Sequence, residues 1–131
     1  MKMIDTNVVS FLMQGGAKAE AYMPHVEGHA LSVAFITVGE MYYGAEKANW
    51  GERKRAKLEA HLHNFTVISF DRLIARHYGK IRAERRKRGR IIAPNDAWIA
   101  ACAVRHNVPL VTDDRGFQDI PQLEIITEQP R

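Results

Sequence analysis

The chain has a single cysteine, Cys102, in 131 residues. This excludes an internal disulfide framework and any cysteine-rich zinc site. A reducing compartment is the matching expectation. Long hydrophobic runs are also missing. No stretch approaches the roughly 20 apolar residues of a membrane span. Lys2 is followed by the acidic Asp5 and by no apolar core of the kind a secretory signal carries. A soluble, cytoplasmic protein without membrane contact is therefore expected. His25 and His29, or His61 and His63, have ligand-like spacing, but no His-Glu-x-x-His pattern surrounds them. A Ser/His/Asp nucleophile set and a glycine-rich phosphate loop are absent too. There is no internal repeat, low-complexity tract or linker, so residues 1–131 are read as one domain.

Apolar residues make up 46% and charged residues 26%, enough for one hydrophobic core. The net charge is +4 and the isoelectric point about 9.4, which points to a polyanionic partner. The distribution says more than the total. Arg82, Arg85, Arg86, Lys87, Arg88 and Arg90 crowd one segment, and Arg53, Lys54, Arg55 and Lys57 another. The first run offers Arg82, Arg85, Arg86 and Arg88 as contacts for nucleic-acid phosphates. A solvated helix face or a site for an acidic partner would look the same. Tyr42, Tyr43 and Trp98 are either core or subunit-contact residues, or platforms for unpaired bases. Cys102 lies on an apolar helix face and is read as buried and inert.

Strand and helix patterns alternate. Met1–Ile4, Ala30–Val33, Phe65–Phe70, Val108–Thr112 and Leu123–Ile126 read as strands. Helical patterns start after Asp5-Thr6-Asn7, cover 17–27, 36–47 and 52–63, run from the Asp71 cap toward Arg88-Gly89, and resume at Pro94. Alternation of this kind predicts an α/β fold of three α/β/α layers around a central, mostly parallel sheet of four to five strands. Ligands of such sheets bind beyond the carboxyl ends of the strands.

Several acids fall near those ends. Asp5 follows the first strand, Asp113 and Asp114 follow the fourth, and Asp96 opens a helix. Glu40 stands in a helix otherwise poor in charge. Taken singly, each has an ordinary reading as a cap, a turn residue or an exposed helix position. Gathered together, carboxylates repel each other until a cation offsets the charge. Mg²⁺ or Mn²⁺, both oxygen-seeking, would do so. Such an ion can also activate water at a phosphate.

Four segments carry a wider likeness. They are Met3-Ile4-Asp5-Thr6-Asn7-Val8-Val9, Ile36 to Ala45 around Glu40, Pro94-Asn95-Asp96-Ala97-Trp98, and Leu110-Val111-Thr112-Asp113-Asp114 with Phe117, Ile120-Pro121 and Leu123. In this order and spacing the chain resembles the PIN-domain ribonucleases, in particular the toxins of VapBC-type toxin–antitoxin pairs. The resemblance implies that Asp5, Glu40, Asp96 and Asp114 are the catalytic, metal-binding acids, with Asp113 the rival at the fourth position. It implies that Thr6, Thr112 and Asn7 support them. It also implies cleavage of RNA, commonly structured RNA such as tRNA, a homodimer, and a cognate antitoxin forming a hetero-oligomer with the toxin. Two departures stand out. A serine common in the family is Ala34 here, and the pair after the fourth acid is Gly116-Phe117 rather than Asp-Phe. The alternatives are a silent PIN-fold domain that binds nucleic acid or a partner, and a Mg²⁺ phosphatase. For the latter, Asp5-Thr6-Asn7 lacks the second aspartate of familiar signatures.

Overall fold

The computed structural model describes residues 1–130. Five short strands form one sheet. They are β1 (Lys2–Ile4), β2 (Leu31–Ala34), β3 (Thr66–Ile68), β4 (Leu110–Val111) and β5 (Ile125–Ile126). The order across the sheet is β3-β2-β1-β4-β5, and every pairing is parallel. Six helices connect them: α1 (Thr6–Gln14), α2 (Ala17–Val26), α3 (Phe35–Lys47), α4 (Glu52–Leu62), α5 (Arg72–Lys87) and α6 (Pro94–His106).

Parallel sheets need cover on both faces, and side chains alternate across a strand. The sheet obeys this residue by residue. Met3, Ala34, Ile68 and Leu110 join one core with Ile74 and Ile81 of α5 and Ala97 to Ala103 of α6. Ile4, Val33 and Val111 join the other with Val8 and Val9 of α1, Tyr22 of α2 and Leu58 of α4. The result is a three-layer α/β/α arrangement. α3 touches both sides, contacting α1, α4 and α6.

The strands are shorter than expected. Of Phe65–Phe70, only Thr66–Ile68 pairs. Phe65 turns into the core beneath α4, and Phe70 leaves the sheet to meet Trp98 edge-on. Local β propensity marked the segment, but β3 lies at the sheet edge, with a neighbour on one side only. Turn chemistry was better foretold. Asp71 caps α5 by accepting the Ile74 amide at 2.8 Å, and Gly15 and Gly16, both at positive φ, separate α1 from α2.

The order β3-β2-β1-β4-β5 has a functional consequence. The chain winds outward from β1 to β2 and β3, then returns to the other side of β1 for β4 and β5. The switch point of the winding therefore lies between the carboxyl ends of β1 and β4. A crevice opens there in doubly wound sheets because the two neighbouring connections depart to opposite faces.

Candidate active site

Asp5 leaves β1 at this switch point and begins α1. Its Oδ1 accepts the Thr6 amide at 2.8 Å, and its Oδ2 accepts the Thr112 hydroxyl at 2.7 Å. Asp5 is therefore a helix cap, as its bland reading held. But an uncharged serine or asparagine caps equally well. Asp5 is 4% exposed. Burial above all, and the charges of Asp96 and Glu40, push its carboxyl up to about 6 against the hydrogen bonds from Thr112 and Thr6. The charge is costly to the fold and unnecessary for the cap.

The other acids gather around it. Glu40, in α3, accepts the Thr6 hydroxyl at 2.7 Å and the Asn95 amide at 3.4 Å. Behind Thr6 stands the buried Thr37, their hydroxyls 2.9 Å apart. Asp96 sits in the first turn of α6, fixed there by Pro94 at the helix start. Burial, then the charges of Asp114 and Glu40, raise its carboxyl above the ordinary range. Asp114 follows β4. Its amide donates to the Thr112 hydroxyl at 3.0 Å, and its Oδ1 accepts the Gly116 amide at 2.7 Å. Thr112 thus ties Asp5 to the loop of Asp114, while Thr6 ties the start of α1 to Glu40.

Asp113 has a different setting. It receives the Tyr22 hydroxyl at 2.5 Å and the Lys18 ammonium at 3.1 Å. Burial alone would raise its carboxyl, but the bonds from Tyr22 and Lys18 outweigh it and hold the group below its ordinary value. Its amide donates to Asn7 at 3.2 Å, so Asn7 pins the loop that carries Asp113 and Asp114. Asp113 has its cation; the other four do not. Among the described residues no lysine, arginine or histidine pairs with Asp5, Glu40, Asp96 or Asp114.

Such a set of uncompensated, all-oxygen donors suits a hard divalent cation. No three His, Cys, Asp or Glu side chains among the described residues form a ready-made cage for an ion. Mg²⁺ does not ask for one, since it keeps several waters and binds through one or two carboxylates. Three of the four histidines with ligand-like spacing are engaged elsewhere. His61 bonds to the Val9 carbonyl, His63 to the Glu59 carbonyl and His25 to Glu128. Cys102 is buried, and burial pushes its thiol up to about 12, which leaves it unreactive.

Thr37 and Asn95 were not singled out from the sequence. The available signal was a small hydroxyl one turn before Glu40 on a buried face, and an amide next to Asp96. Together with Thr6 they hold Glu40 without the serine that Ala34 replaces.

The basic run on α5 divides. Arg82, Arg86 and Arg88 are exposed, and Arg88 is engaged by Glu84 and the Asp119 carbonyl. Arg85 corrects the expectation of a phosphate contact. It is 5% exposed, and its Nη2 donates to the carbonyls of Gly116 and Gln118 at 2.7 and 2.8 Å. Helical spacing turns this one arginine inward, where it clamps the loop that follows Asp114. Arg85→Met keeps the aliphatic volume but leaves two carbonyls without a donor. Urea unfolding is expected to show a loss of about 2 kcal/mol; an unchanged midpoint would remove the clamp. Of the aromatics, Trp98 is stacked on Tyr78 with ring centroids 3.9 Å apart, whereas Tyr42 and Tyr43 are exposed.

Comparison with known proteins agrees with this architecture. A family profile described as PIN domain matches residues 2–123. Ribonuclease VapC2 of Haemophilus influenzae is 35% identical over 119 residues, 90% of each chain. A tRNA(fMet)-specific endonuclease VapC of Salmonella typhimurium is 32% identical over 124 residues, 94% of each. The crystal structure of DNA-bound VapBC from Salmonella typhimurium superposes with a TM-score of 0.85 at 31% identity, covering 97% of this chain and 98% of that one. VapBC2 of Rickettsia felis, bound to a promoter DNA fragment, gives the same score at 26% identity and 98% coverage of both.

Proposed function

The chain belongs to the PIN-domain family, and from that premise we propose that it is a divalent-metal-dependent endoribonuclease, the toxin of a VapBC-type pair. The observation that carries the reading is the uncompensated group of Asp5, Glu40, Asp96 and Asp114 at the switch point of the sheet. Asp5, Glu40, Asp96 and Asp114 would hold the ion, Mg²⁺ or Mn²⁺, directly or through its waters. When bound there, the ion offsets their charge, acidifies a water and counters the negative charge that builds on the phosphodiester.

The chain's own residues set the stage. Thr112 and Thr6 orient the Asp5 and Glu40 carboxylates before anything binds. Asp96 offers a carboxylate bonded to no described side chain. The pre-set Asp5 and Glu40 carboxylates cost little reorganisation when substrate arrives. Arg82 and Arg86, exposed beside Tyr78 and Ile91 in a cleft next to the start of α6, are suited to backbone phosphates of the RNA, whereas Arg88 is held by Glu84 and the Asp119 carbonyl. A structured RNA such as tRNA is the substrate class that the endonuclease relatives suggest. A cognate VapB-like antitoxin that forms a hetero-oligomer with this chain is supported by the VapBC neighbours, and a homodimer is part of the same proposal. Residues 1–131 act as one domain in the cytoplasm. No helix is long and apolar enough to cross a membrane among the described residues.

Cleavage of an RNA pool in Mg²⁺ or Mn²⁺ tests the proposal. EDTA is expected to stop cleavage, and re-added Mg²⁺ or Mn²⁺ to restore it. Asp96→Asn is expected to give the same loss with the circular dichroism spectrum retained. Cleavage that survives both EDTA and Asp96→Asn would sink the metal mechanism. The silent-domain alternative predicts no cleavage under any condition.

A further inference from the structure

α3 carries Glu40 into the acidic site and then continues past it. At 3.6 residues per turn, Tyr43, Gly44 and Lys47 share the face of Glu40. At 1.5 Å of rise per residue, Tyr43 lies about 4.5 Å and Lys47 about 10 Å along the axis from Glu40. Helical side chains lean toward the N-terminus, so both lean back toward the acids.

Three features of this face find no partner beyond the helix itself. Tyr43 is 65% exposed, the largest exposure of any aromatic side chain here. The adjacent Tyr42 differs, since the Glu59 carboxylate of α4 lies close enough to raise the pKa of its phenol. The Lys47 ammonium sits 6.0 Å from the centre of the Tyr43 ring and has no acidic partner among the described residues, whereas Glu46 is taken by Arg55. Gly44 is the third. Glycine weakens a helix interior relative to alanine. Yet a Cβ at Gly44 would meet nothing within 4 Å, so no packing inside the chain requires its absence. A bare stretch of backbone beside an exposed ring, with a cation that overhangs that ring without a carboxylate partner among the described residues, admits close approach by something from outside. The occupant must be flat where it meets Tyr43 and anionic where it meets Lys47. It also begins at the acidic site. Single-stranded nucleic acid meets all three demands: every base has a π-face, and its phosphate pairs with a cation.

We propose that Tyr43, Gly44 and Lys47 form a subsite for the nucleotide flanking the scissile phosphate. Its base stacks on Tyr43, its phosphate pairs with Lys47, and its backbone passes over Gly44. The subsite rests on the ribonuclease reading above and deepens it, since it selects RNA that is unpaired at the cleavage point. Past the end of α3, Lys54 lies 4.3 Å from the centre of the Trp50 ring, and Arg53 and Lys57 line the same cleft as Lys54.

The test measures binding of a short, labelled, single-stranded oligoribonucleotide of mixed sequence by fluorescence anisotropy in EDTA, with cleavage kinetics in Mg²⁺ or Mn²⁺ alongside. Tyr43→Ala is expected to raise Kd roughly tenfold and to raise KM while kcat holds; Tyr43→Phe, which keeps the stack, is expected to behave as the parent. Lys47→Ala is expected to lower the slope of log Kd against log salt by about 0.7, the loss of one phosphate contact on a single strand. Gly44→Ala is the sharpest arm, because it is expected to raise the melting temperature and yet weaken binding. Tyr43→Ala and Gly44→Ala proteins that bind and cleave like the parent overturn the subsite and leave the nuclease reading intact. A parent that neither binds the oligoribonucleotide nor cleaves RNA overturns both. A Tyr43→Ala protein that loses a dimer in light scattering while binding RNA unchanged per chain overturns the subsite in favour of a contact between copies.

Discussion

Asp5→Asn is expected to cut RNA cleavage about a thousandfold and, in metal-free buffer at neutral pH, to make the protein more stable. The two effects have one cause. The Asp5 carboxyl is buried beside two other acids and titrates near 6 instead of its ordinary 3.8. Its folded pKa is raised, so the folded state favours the protonated form. The penalty is absent when Asp5 is protonated in both states, below about pH 4. It grows as pH rises from 4 to 6 and is complete above about 7. At about 1.4 kcal/mol per unit, a shift of about two units corresponds to a penalty of about 3 kcal/mol. Asparagine carries no such penalty and keeps an oxygen for the Thr6 amide. Its amide meets a Thr112 hydroxyl that already accepts the Asp114 amide, which takes back about 1 kcal/mol. A net gain of about 2 kcal/mol is expected in EDTA at pH 7.5, shrinking toward pH 4. Added Mg²⁺ or Mn²⁺ reverses the order, because a ligand that binds only the folded parent stabilises it by mass action. Cleavage falls about a thousandfold, the equivalent of several kcal/mol of lost electrostatic stabilisation. Chemical denaturation at two pH values, with and without metal, reads all of this. An Asp5→Asn protein less stable than the parent at pH 7.5 in EDTA would show that the charge serves the fold.

The second large effect separates two neighbours in sequence. Asp114→Asn is expected to cut cleavage by about a hundredfold or more, as loss of one electrostatic contact at the reacting centre does. Its stability is expected to be level or slightly higher. Asparagine still accepts the Gly116 amide, and the raised Asp96 carboxyl loses one of the charges that disturb it. Asp113→Asn is expected to do the opposite. Cleavage stays near the parent rate, while stability drops by about 1 kcal/mol as Lys18 loses its partner and the Tyr22 bond weakens. Lys18 is half exposed, which keeps the loss small. A collapse of activity in Asp113→Asn with an active Asp114→Asn would reverse the assignment of the fourth acid.

This contrast also shows how far the sequence could be read. Asp113 and Asp114 are chemically identical and adjacent, and both follow the same strand. Nothing local distinguishes them, and the resemblance alone favoured Asp114. The difference lies in what the fold brings to each, α2 with Lys18 and Tyr22 to one and the amide of Gly116 to the other. Arg85 repeats the lesson. In the sequence it is one of six basic residues in the run, and only the packing of α5 against the loop after β4 turns it inward. Tyr42 and Tyr43 likewise differ only by the 100° that separates successive residues on a helix.

What the sequence determined by itself is what depends on period and short-range chemistry. The alternation of strands and helices, the Asp71 cap, the Gly15-Gly16 break and the Pro94 start all rest on contacts within a turn or two, so they survive in a linear reading. The placing of Asp5, Asp113 and Asp114 at strand ends belongs here too, because a parallel sheet sends every strand end to the same edge. The tertiary structure alone decided the order β3-β2-β1-β4-β5, which puts Asp5 and Asp114 on either side of one switch point. It also decided the meeting of Thr6 with Glu40 and of Thr112 with Asp5, 34 and 107 residues apart in the chain. Those contacts depend on which strands become neighbours. That choice minimises the exposed apolar area of the whole domain, and no single segment encodes it.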